Sequence, residues 1–320
     1  MRVIVTGGAG FIGSCFVRKL NDEGITDIII VDEPEAVHAP NLSGKTIAGF
    51  MQKDELLARI QKETIGPADL LVHMGACSST TETDRDYLVR NNYLYSQELC
   101  RWALANKVRF LYASSGATYG DGSLGFSDDD AVSLRLKPLN LYGLSKWLFD
   151  AWVIREGLTG TIAGFKFFNV FGPNEYHKGD MRSVVLKSFE KITATGEISL
   201  FRSHRPDYRD GEQKRDFVYV RDVVEAVWFF ALHPEKNGVF NIGTGKARTF
   251  NDLVTAVFAA LDLPPNITYF DMPDAVRNQY QYFTEADITK LRTAGFTQPF
   301  RELENSVKEY VGYLRETTCL

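Results

Sequence analysis

Cysteines are few in this chain of 320 residues, and none of the four has the paired spacing of a disulfide framework or a zinc site. Long apolar runs are missing too, since the longest extends only from Ala226 to Leu232, far short of a bilayer. Basic residues do not dominate, because a net charge of −5 gives no reason to expect a nucleic acid or membrane partner. We find no internal repeat, and we expect no signal peptide, because the apolar start of the chain has the character of a strand. These absences predict a globular, cytoplasmic protein with reduced thiols.

A glycine-rich turn follows the first predicted strand. Residues 3–5 form a short β-branched run, and helical periodicity begins at residues 11–20. Between them, Gly7 allows a sharp turn, Gly10 leaves room for a pyrophosphate, and Gly13 lets the helix pack closely on the sheet. The helix N-terminus adds free N–H groups and a partial positive charge. A strand, a glycine turn and a helix in this order predict dinucleotide binding.

An acidic residue ends the next predicted strand, residues 26–31. Asp32 lies about twenty residues beyond the glycines, where a carboxylate reaches the adenosine ribose. Glu33 follows it, either as a second cofactor contact or as a solvated loop residue. Two carboxylates would repel a 2′-phosphate, which favours NAD over NADP. The basic residues that remain as a clamp for the 2′-phosphate of NADP are Lys45, Lys53 and His38.

Strands and helices alternate through the first half of the chain. The predicted strands here are 69–74, 108–113 and 161–168, and the predicted helices are 85–106 and 140–156. This alternation predicts an α/β fold with a doubly wound parallel sheet, the Rossmann arrangement, which binds ligands at the carboxyl ends of its strands. Polar clusters fall at those ends, at residues 7–13, 75–81, 114–119 and 169–178.

The pattern changes after Asn169. A polar loop at 202–215 precedes two further strands, 216–220 and 239–242, which are joined by a helix, and residues 249–320 are mostly helical in pattern. We therefore expect a smaller, discontinuous second domain over the strand ends. The predicted domains are 1–168 plus about 217–245 for the dinucleotide, and 169–216 plus 246–320 for the substrate.

Tyr142 and Lys146 form a Y-x-x-x-K pair, which a helix would present on one face. A lysine ammonium near a tyrosine lowers the pKa of the phenol, which makes the tyrosine usable as a base near neutral pH. The lysine can also bind the nicotinamide ribose. Ser115, just beyond a strand end, can donate to the oxygen on which Tyr142 acts. With the glycine turn, these residues predict a catalytic group.

Several motifs resemble a known family. TGGAGFIG at 6–13, YASSGATYG at 112–120 and YGLSK at 142–146 resemble the extended short-chain dehydrogenase/reductases that act on nucleotide sugars. The more specific stretches HMGACSSTTE, FNVFGP, HKG and KRDFVYV, within residues 73–220, resemble the ADP-L-glycero-D-manno-heptose 6-epimerases. The resemblance extends from Met1 to about Tyr313.

The resemblance implies a reaction. Such an enzyme keeps its nicotinamide cofactor bound, removes a hydride from C6″ of ADP-heptose, and re-reduces the transient ketone on its other face, in the synthesis of the lipopolysaccharide inner-core precursor. Inversion needs proton transfer on both faces, and Tyr142 matches one family base while Lys178 matches the other. The resemblance also implies NADP, contrary to the carboxylates at the adenosine end, and a homo-oligomer, a pentamer in the family.

The remaining site residues are implied by the same resemblance. The implied cofactor contacts are Gly7, Gly10, Phe11, Ile12, Gly13, Asp32, Glu33, Lys53, Gly75, Ala76, Cys77, Ser78, Ser79, Asn92, Tyr142 and Lys146. The implied substrate contacts are Ser115, Asn169, Lys178, Phe201, Arg215 and Tyr280. Arg215 and Tyr280 would hold the diphosphate and nucleoside, since a guanidinium suits phosphate oxygens. No metal ligands are implied. His38 stands where the family often has a lysine for the 2′-phosphate.

Two alternatives stay open. A different nucleotide-sugar epimerase or a 4,6-dehydratase shares the fold, but the dehydratase would have an Asp-Glu pair where this chain has Gly116-Ala117 after Ser115. A non-enzymatic dinucleotide sensor would have no need for Ser115, Tyr142 and Lys146 together.

Overall fold

A computed structural model describes residues 1–277 and 280–320 of the chain. The strands are β1 (Val3–Thr6), β2 (Ile28–Asp32), β3 (Gly49–Gln52), β4 (Leu70–His73), β5 (Arg109–Ser115), β6 (Ala163–Phe167), β7 (Asn169–Phe171), β8 (Ile198–Phe201), β9 (Lys214–Arg215), β10 (Phe217–Tyr219), β11 (Gly238–Ile242), β12 (Arg248–Thr249) and β13 (Ile267–Phe270). The helices are α1 (Phe11–Asp22), α2 (Lys53–Gln61), α3 (Arg85–Leu88), α4 (Tyr95–Ala105), α5 (Asp130–Ser133), α6 (Leu141–Arg155), α7 (Val184–Thr195), α8 (Val220–Leu232), α9 (Phe250–Ala260), α10 (Asp274–Arg277), α11 (Thr289–Thr293) and α12 (Leu303–Glu316).

The central sheet has seven strands in the described part of the chain, in the order β3-β2-β1-β4-β5-β6-β11. Every neighbouring pair in it is parallel. The strand order reverses between β1 and β4, which opens a crevice at their carboxyl ends. The predicted doubly wound α/β fold is confirmed.

Both faces of this sheet are covered, as the alternating side chains of β1 illustrate. Val3 and Val5 pack into an apolar core shared with α1 and α8, whereas Ile4 packs into a second core shared with α4 and α6. All three side chains are almost fully buried. Burial on both faces explains why the strand is a continuous apolar run and does not alternate with polar residues.

The second half of the chain departs from the expectation in two places. Residues 217–219 form β10, which pairs with β7 in a separate two-stranded sheet, so only β11 joins the central sheet. The segment 249–320 was expected to be mostly helical, yet it contains β13, which pairs in parallel with β8. The prolines at 264, 265 and 273 do not merely interrupt helices: they bracket a short strand, Ile-Thr-Tyr-Phe, whose side chains alternate between half-buried and exposed. The domain boundaries stay a prediction.

The helix predicted at 85–106 is present but not uniform. It begins as α3, continues through a π-helical segment at Val89–Leu94, and ends as α4. Such π segments are common near functional sites. Within 1–277 and 280–320, no helix combines the length and apolar composition that crossing a bilayer requires.

Candidate functional site

A cleft of about 690 Å³ opens at the carboxyl ends of the central strands. It brings together residues that the sequence scatters over six segments between the first glycine and the loop after β7. The sequence-predicted residues that line it are Gly7, Gly10, Phe11, Ile12, Gly13, Asp32, Gly75, Ala76, Ser78, Ser115, Tyr142, Lys146, Asn169 and Lys178. Those that do not line it are Glu33, Lys53, Cys77, Ser79, Asn92, Phe201, Arg215 and Tyr280.

The glycine turn forms one wall, and two of its glycines leave no room for a side chain. Gly7 has a φ of +64°, and a Cβ there would lie 2.6 Å from the backbone of Gly75. A Cβ on Gly13 would lie 2.0 Å from the carbonyl oxygen of Gly7. The beginning of α1 is therefore held against the turn, as the glycine spacing predicts.

The start of α1 suits an anion, and the end of β2 suits a ribose. The N-cap, Gly10, has no side chain to occupy the free amides of the first turn. Asp32 accepts a hydrogen bond from the backbone N–H of Ala9 at 2.9 Å. Burial raises the pKa of Asp32, while the hydrogen bonds from Ala9 and Glu33 oppose that rise. The turn and the acid together fit a dinucleotide.

At the end of the cleft where the adenosine is expected, the lysine and the glutamate neutralise each other. Lys53 lies 2.7 Å from the carboxylate of Glu33 and donates to the side-chain oxygen of Asn91 at 3.0 Å. His38 is exposed, and Lys45 donates to the backbone carbonyl of Leu320. The basic residues proposed as a clamp for a 2′-phosphate are thus paired or dispersed.

Asn92 holds the wall of the cleft together without lining it. Its side chain accepts from the backbone N–H of Cys77 at 2.9 Å and donates to the carbonyl of Cys77 at 2.9 Å and to the hydroxyl of Ser145 at 3.0 Å. The amide is buried and lies in the π-helical segment. Asn92 thus bridges the loop after β4 and the residue before Lys146, and its contact with a cofactor stays a prediction.

Tyr142 and Lys146 are on one face of α6, as predicted. Asn140 begins that helix, because its side-chain oxygen accepts from the backbone N–H of Gly143 at 2.7 Å. The hydroxyl of Ser115, which accepts from the backbone N–H of Ala117 at 3.1 Å, lines the cleft together with Tyr142. Lys146 donates to the carbonyl of Ala113 at 3.0 Å. The tyrosine, the serine and the lysine therefore meet at the end of β5.

The expected fall in the pKa of Tyr142 is not found. Burial raises the pKa of this phenol, and the side-chain hydroxyl of Ser115 opposes the rise. Lys146 is affected instead: burial lowers the pKa of its ammonium to about 8, while Asp150 opposes the change. For both groups, the cost of burying the charged form outweighs the attraction that their spacing predicts.

Lys178 reaches the cleft from a different element, the 3₁₀ segment Tyr176–Met181. Its ammonium lies 5.0 Å from the ring centre of Phe11, at the beginning of α1. Burial lowers the pKa of Lys178, and the carboxylate of Glu175 opposes that shift. The loop is held by Glu175, which accepts from the backbone N–H and the hydroxyl of Ser183, at 2.5 and 2.6 Å.

Phe201, Arg215 and Tyr280 form a group beside the cleft. The ring centres of Phe201 and Tyr280 are 6.0 Å apart, and the guanidinium carbon of Arg215 lies 5.1 Å from that of Tyr280. Arg215 is buried, and it makes no ion pair with any residue in 1–277 or 280–320. A buried guanidinium without a carboxylate partner suits an anionic ligand.

Sequence reasoning missed several lining residues. Gln281 and Thr284 reach the cleft from the C-terminal half, and Met181 and Arg182 from the loop that carries Lys178. No spacing or motif marks these positions, because their place depends on how the second half of the chain folds over the sheet. The available signals were closeness in sequence to predicted residues: Met181 lies near Lys178, and Gln281 follows Tyr280.

Comparison with known proteins agrees with this geometry. A model of the NAD dependent epimerase/dehydratase family matches residues 3–243. The ADP-L-glycero-D-manno-heptose-6-epimerase of Nitratidesulfovibrio vulgaris strain DP4 is 56% identical over 310 residues, with 96% of each chain covered.

Solved structures of epimerases are also similar. The ADP-L-glycero-D-manno-heptose-6-epimerase of Helicobacter pylori has a TM-score of 0.81 at 29% identity, covering 98% of this chain and 96% of the other. A UDP-glucose 4-epimerase of Thermus thermophilus in complex with NAD has a TM-score of 0.77 at 25% identity, covering 98% and 99%. The chain therefore belongs to the NAD dependent epimerase/dehydratase family, and within it to the ADP-L-glycero-D-manno-heptose-6-epimerases.

Proposed function

We propose that this chain inverts C6″ of ADP-D-glycero-D-manno-heptose to give ADP-L-glycero-D-manno-heptose, with a bound nicotinamide cofactor. One observation carries the proposal: two groups that can move a proton, Tyr142 on α6 and Lys178 on a separate loop, line the same cleft. Inversion requires proton transfer on both faces of one carbon. A simple dehydrogenase needs only one such group.

The residues present fit a nicotinamide dinucleotide. Gly7, Gly10 and Gly13 form a backbone cradle that a Cβ would fill, the amides that begin α1 would hold the pyrophosphate, and Asp32 would hold the adenosine ribose. A nicotinamide held there would supply the reversible hydride acceptor for C6″. We infer that Lys146, as an ammonium, binds the nicotinamide ribose.

The protein groups would divide the proton transfers by face. Tyr142 would exchange a proton with the C6″ oxygen from one side, and Ser115 would donate a hydrogen bond to the same oxygen. Lys178 would serve the opposite side. Burial favours the neutral amine of Lys178, the form that can accept a proton. The raised pKa of Tyr142 favours its acid form, which suits proton donation to a ketone.

The substrate's charged half would lie towards Arg215. This guanidinium is buried against the rings of Phe250 and Tyr280, at 5.6 and 5.1 Å, and its pKa is lowered by burial. A diphosphate would supply the missing negative charge, and the ring of Tyr280 would contact the nucleoside. Asn169, which lines the cleft, would contact a substrate hydroxyl.

We also propose that NAD binds at least as well as NADP. Lys53 is already paired with Glu33, so a 2′-phosphate there would displace an ion pair and meet two carboxylates. The resemblance to the heptose epimerases suggests the opposite preference. Titration of both nucleotides into cofactor-free protein decides, and a tenfold preference for NADP would refute this part of the proposal.

Two further expectations remain proposals: a homo-oligomer, which the family resemblance implies, and a cytoplasmic location, which the unpaired cysteine spacing predicts. Light scattering on the purified chain tests the first, and a monomer would contradict it.

Incubation with ADP-D-glycero-D-manno-heptose, followed by NMR of the C6″ epimers, tests the activity. UDP-glucose is the matched control, because another nucleotide-sugar epimerase would convert it and this chain should not.

A further inference from the structure

A fully buried ion pair joins α6 to β6, one helical turn beyond Lys146. The carboxylate of Asp150 and the ammonium of Lys166 are 2.7 Å apart, and neither side chain is exposed. Burying two charges costs free energy that their mutual attraction seldom recovers in full. The pair has no contact with the cleft, and the proposed reaction does not use it. Its place therefore calls for an explanation other than stability.

Hydrogen bonds extend from this pair to the catalytic strand end. Asp150 accepts from the phenol of Tyr112 at 3.0 Å and from the hydroxyl of Ser114 at 2.7 Å, both on β5. Lys166, on β6, donates to the hydroxyl of Thr118 at 2.9 Å. The same hydroxyl of Thr118 donates to the backbone carbonyl of Ser115 at 2.8 Å. The pair thus fixes the residue before Ser115 and the turn after it.

Asp150 also lies one helical turn beyond Lys146, on the face of α6 that carries Tyr142. The other ionisable groups facing Lys146 are Cys77, from the loop after β4, and His73, on β4 itself. His73 is neutral at physiological pH, because burial and Lys146 lower its pKa to about 3. Asp150 is therefore the nearby carboxylate that favours the ammonium form of Lys146, against the effect of burial.

We propose that Asp150, held in place by Lys166, is a positioning residue of the epimerase: it fixes α6 against the Ser115 turn and keeps Lys146 charged. This rests on the proposed function, in which Lys146 acts as an ammonium. Asp150 touches neither the substrate nor the cofactor in this account. It acts through Ser114, on one side, and through Lys146, on the other.

The variants that test this differ in what they leave buried. Asp150→Asn removes the carboxylate but leaves the charge of Lys166 unpaired, which endangers folding. The double variant Asp150→Asn with Lys166→Met removes both charges at similar side-chain volume, so we expect it to fold. Asp222→Asn is the matched control: Asp222 is a buried carboxylate on α8 that pairs with Arg301, and its hydrogen bonds do not connect to Lys146 or Asp150.

The measurement is the pH dependence of kcat and of KM for epimerisation, together with cofactor affinity. The parent enzyme should lose activity on the alkaline side near pH 8, where Lys146 loses its proton. In the double variant this limb should shift by about one unit to lower pH, because Lys146 loses the carboxylate that favours its ammonium form, whereas Lys166 is not among the groups that shift its pKa. We expect kcat at pH 8 to fall roughly tenfold, because α6 is no longer held in place against the Ser115 turn, and we expect KM to be nearly unchanged.

The control separates positioning from stability. Asp222→Asn should lower the midpoint of unfolding and leave the alkaline limb where it is. An unshifted limb in the double variant, or an equal loss of kcat in Asp222→Asn, would overturn the inference. If the parent chain itself does not epimerise ADP-heptose, the proposed function fails first, and the two failures are thereby distinguished.

Discussion

Replacing Gly13 by alanine should separate the glycine turn from helix α1. The new Cβ would lie 2.0 Å from the oxygen and 2.8 Å from the carbon of Gly7, and 3.0 Å from the Cα of Gly8. These are backbone atoms, which cannot rotate away. The helix must therefore withdraw by about 1 Å or more, since non-bonded heavy atoms pack roughly 3.5 Å apart. Overpacking of this kind costs about 1–3 kcal/mol of stability.

The same displacement should weaken cofactor binding. It moves the amides that begin α1 away from the pyrophosphate, and a hydrogen bond to a charged group is worth about 1.5–3 kcal/mol. We expect a loss of affinity of roughly ten- to hundredfold, measured by calorimetric titration of NAD into cofactor-free protein. The control is Gly312→Ala in α12, where a Cβ would meet nothing within 4 Å. It should keep the parent affinity and gain up to about 1 kcal/mol of stability. Parent-like affinity in Gly13→Ala would refute the argument.

Three further predictions concern the acid–base groups. Tyr142→Phe should keep the cofactor bound but slow epimerisation by about a hundredfold or more, and turnover at the parent rate would exclude Tyr142 as the base. Lys178→Met should also lose epimerisation. An ADP-linked substrate analogue with an aldehyde at C6″ separates the two roles, because its dismutation to an alcohol and an acid needs a base on only one face. One of these two variants should therefore retain much more dismutation than epimerisation. Equal loss of both activities would indicate one shared acid–base centre. The pKa of His73 is lowered to about 3 by burial and by Lys146, so the unfolded chain takes up the proton first. The free energy of unfolding should thus fall by about 2 kcal/mol from pH 7 to pH 5 through this group, and a denaturant titration of His73→Gln with the same pH slope as the parent would contradict this.

The fold of the first half could be predicted because local pattern and tertiary role agree there. Ile4 and its neighbours in β1 form an apolar run, and the Gly13 position marks where a helix must approach a strand. The second half was harder. β13 has four residues between prolines, and β10 leaves the central sheet for β7, which only long-range packing decides.

The site was predictable where a motif fixes geometry within one element. Tyr142 and Lys146 are such a case, since helical spacing alone places them together. The direction of the pKa shift of Tyr142 could not be predicted, because it depends on how the whole cleft buries the phenol. Asn92 was expected to contact the cofactor, and its bridge from Cys77 to Ser145 could not be foreseen from its position on a helix.

The central claim is that C6″ is inverted by removal and return of the same hydride. It is tested most directly with ADP-D-glycero-D-manno-heptose carrying deuterium at C6″, converted in ordinary water and analysed by NMR and mass spectrometry. The account predicts that the L-glycero product keeps the deuterium at C6″. A product that has exchanged this deuterium for solvent hydrogen would contradict it, because inversion would then proceed by deprotonation of the carbon and not by transient oxidation.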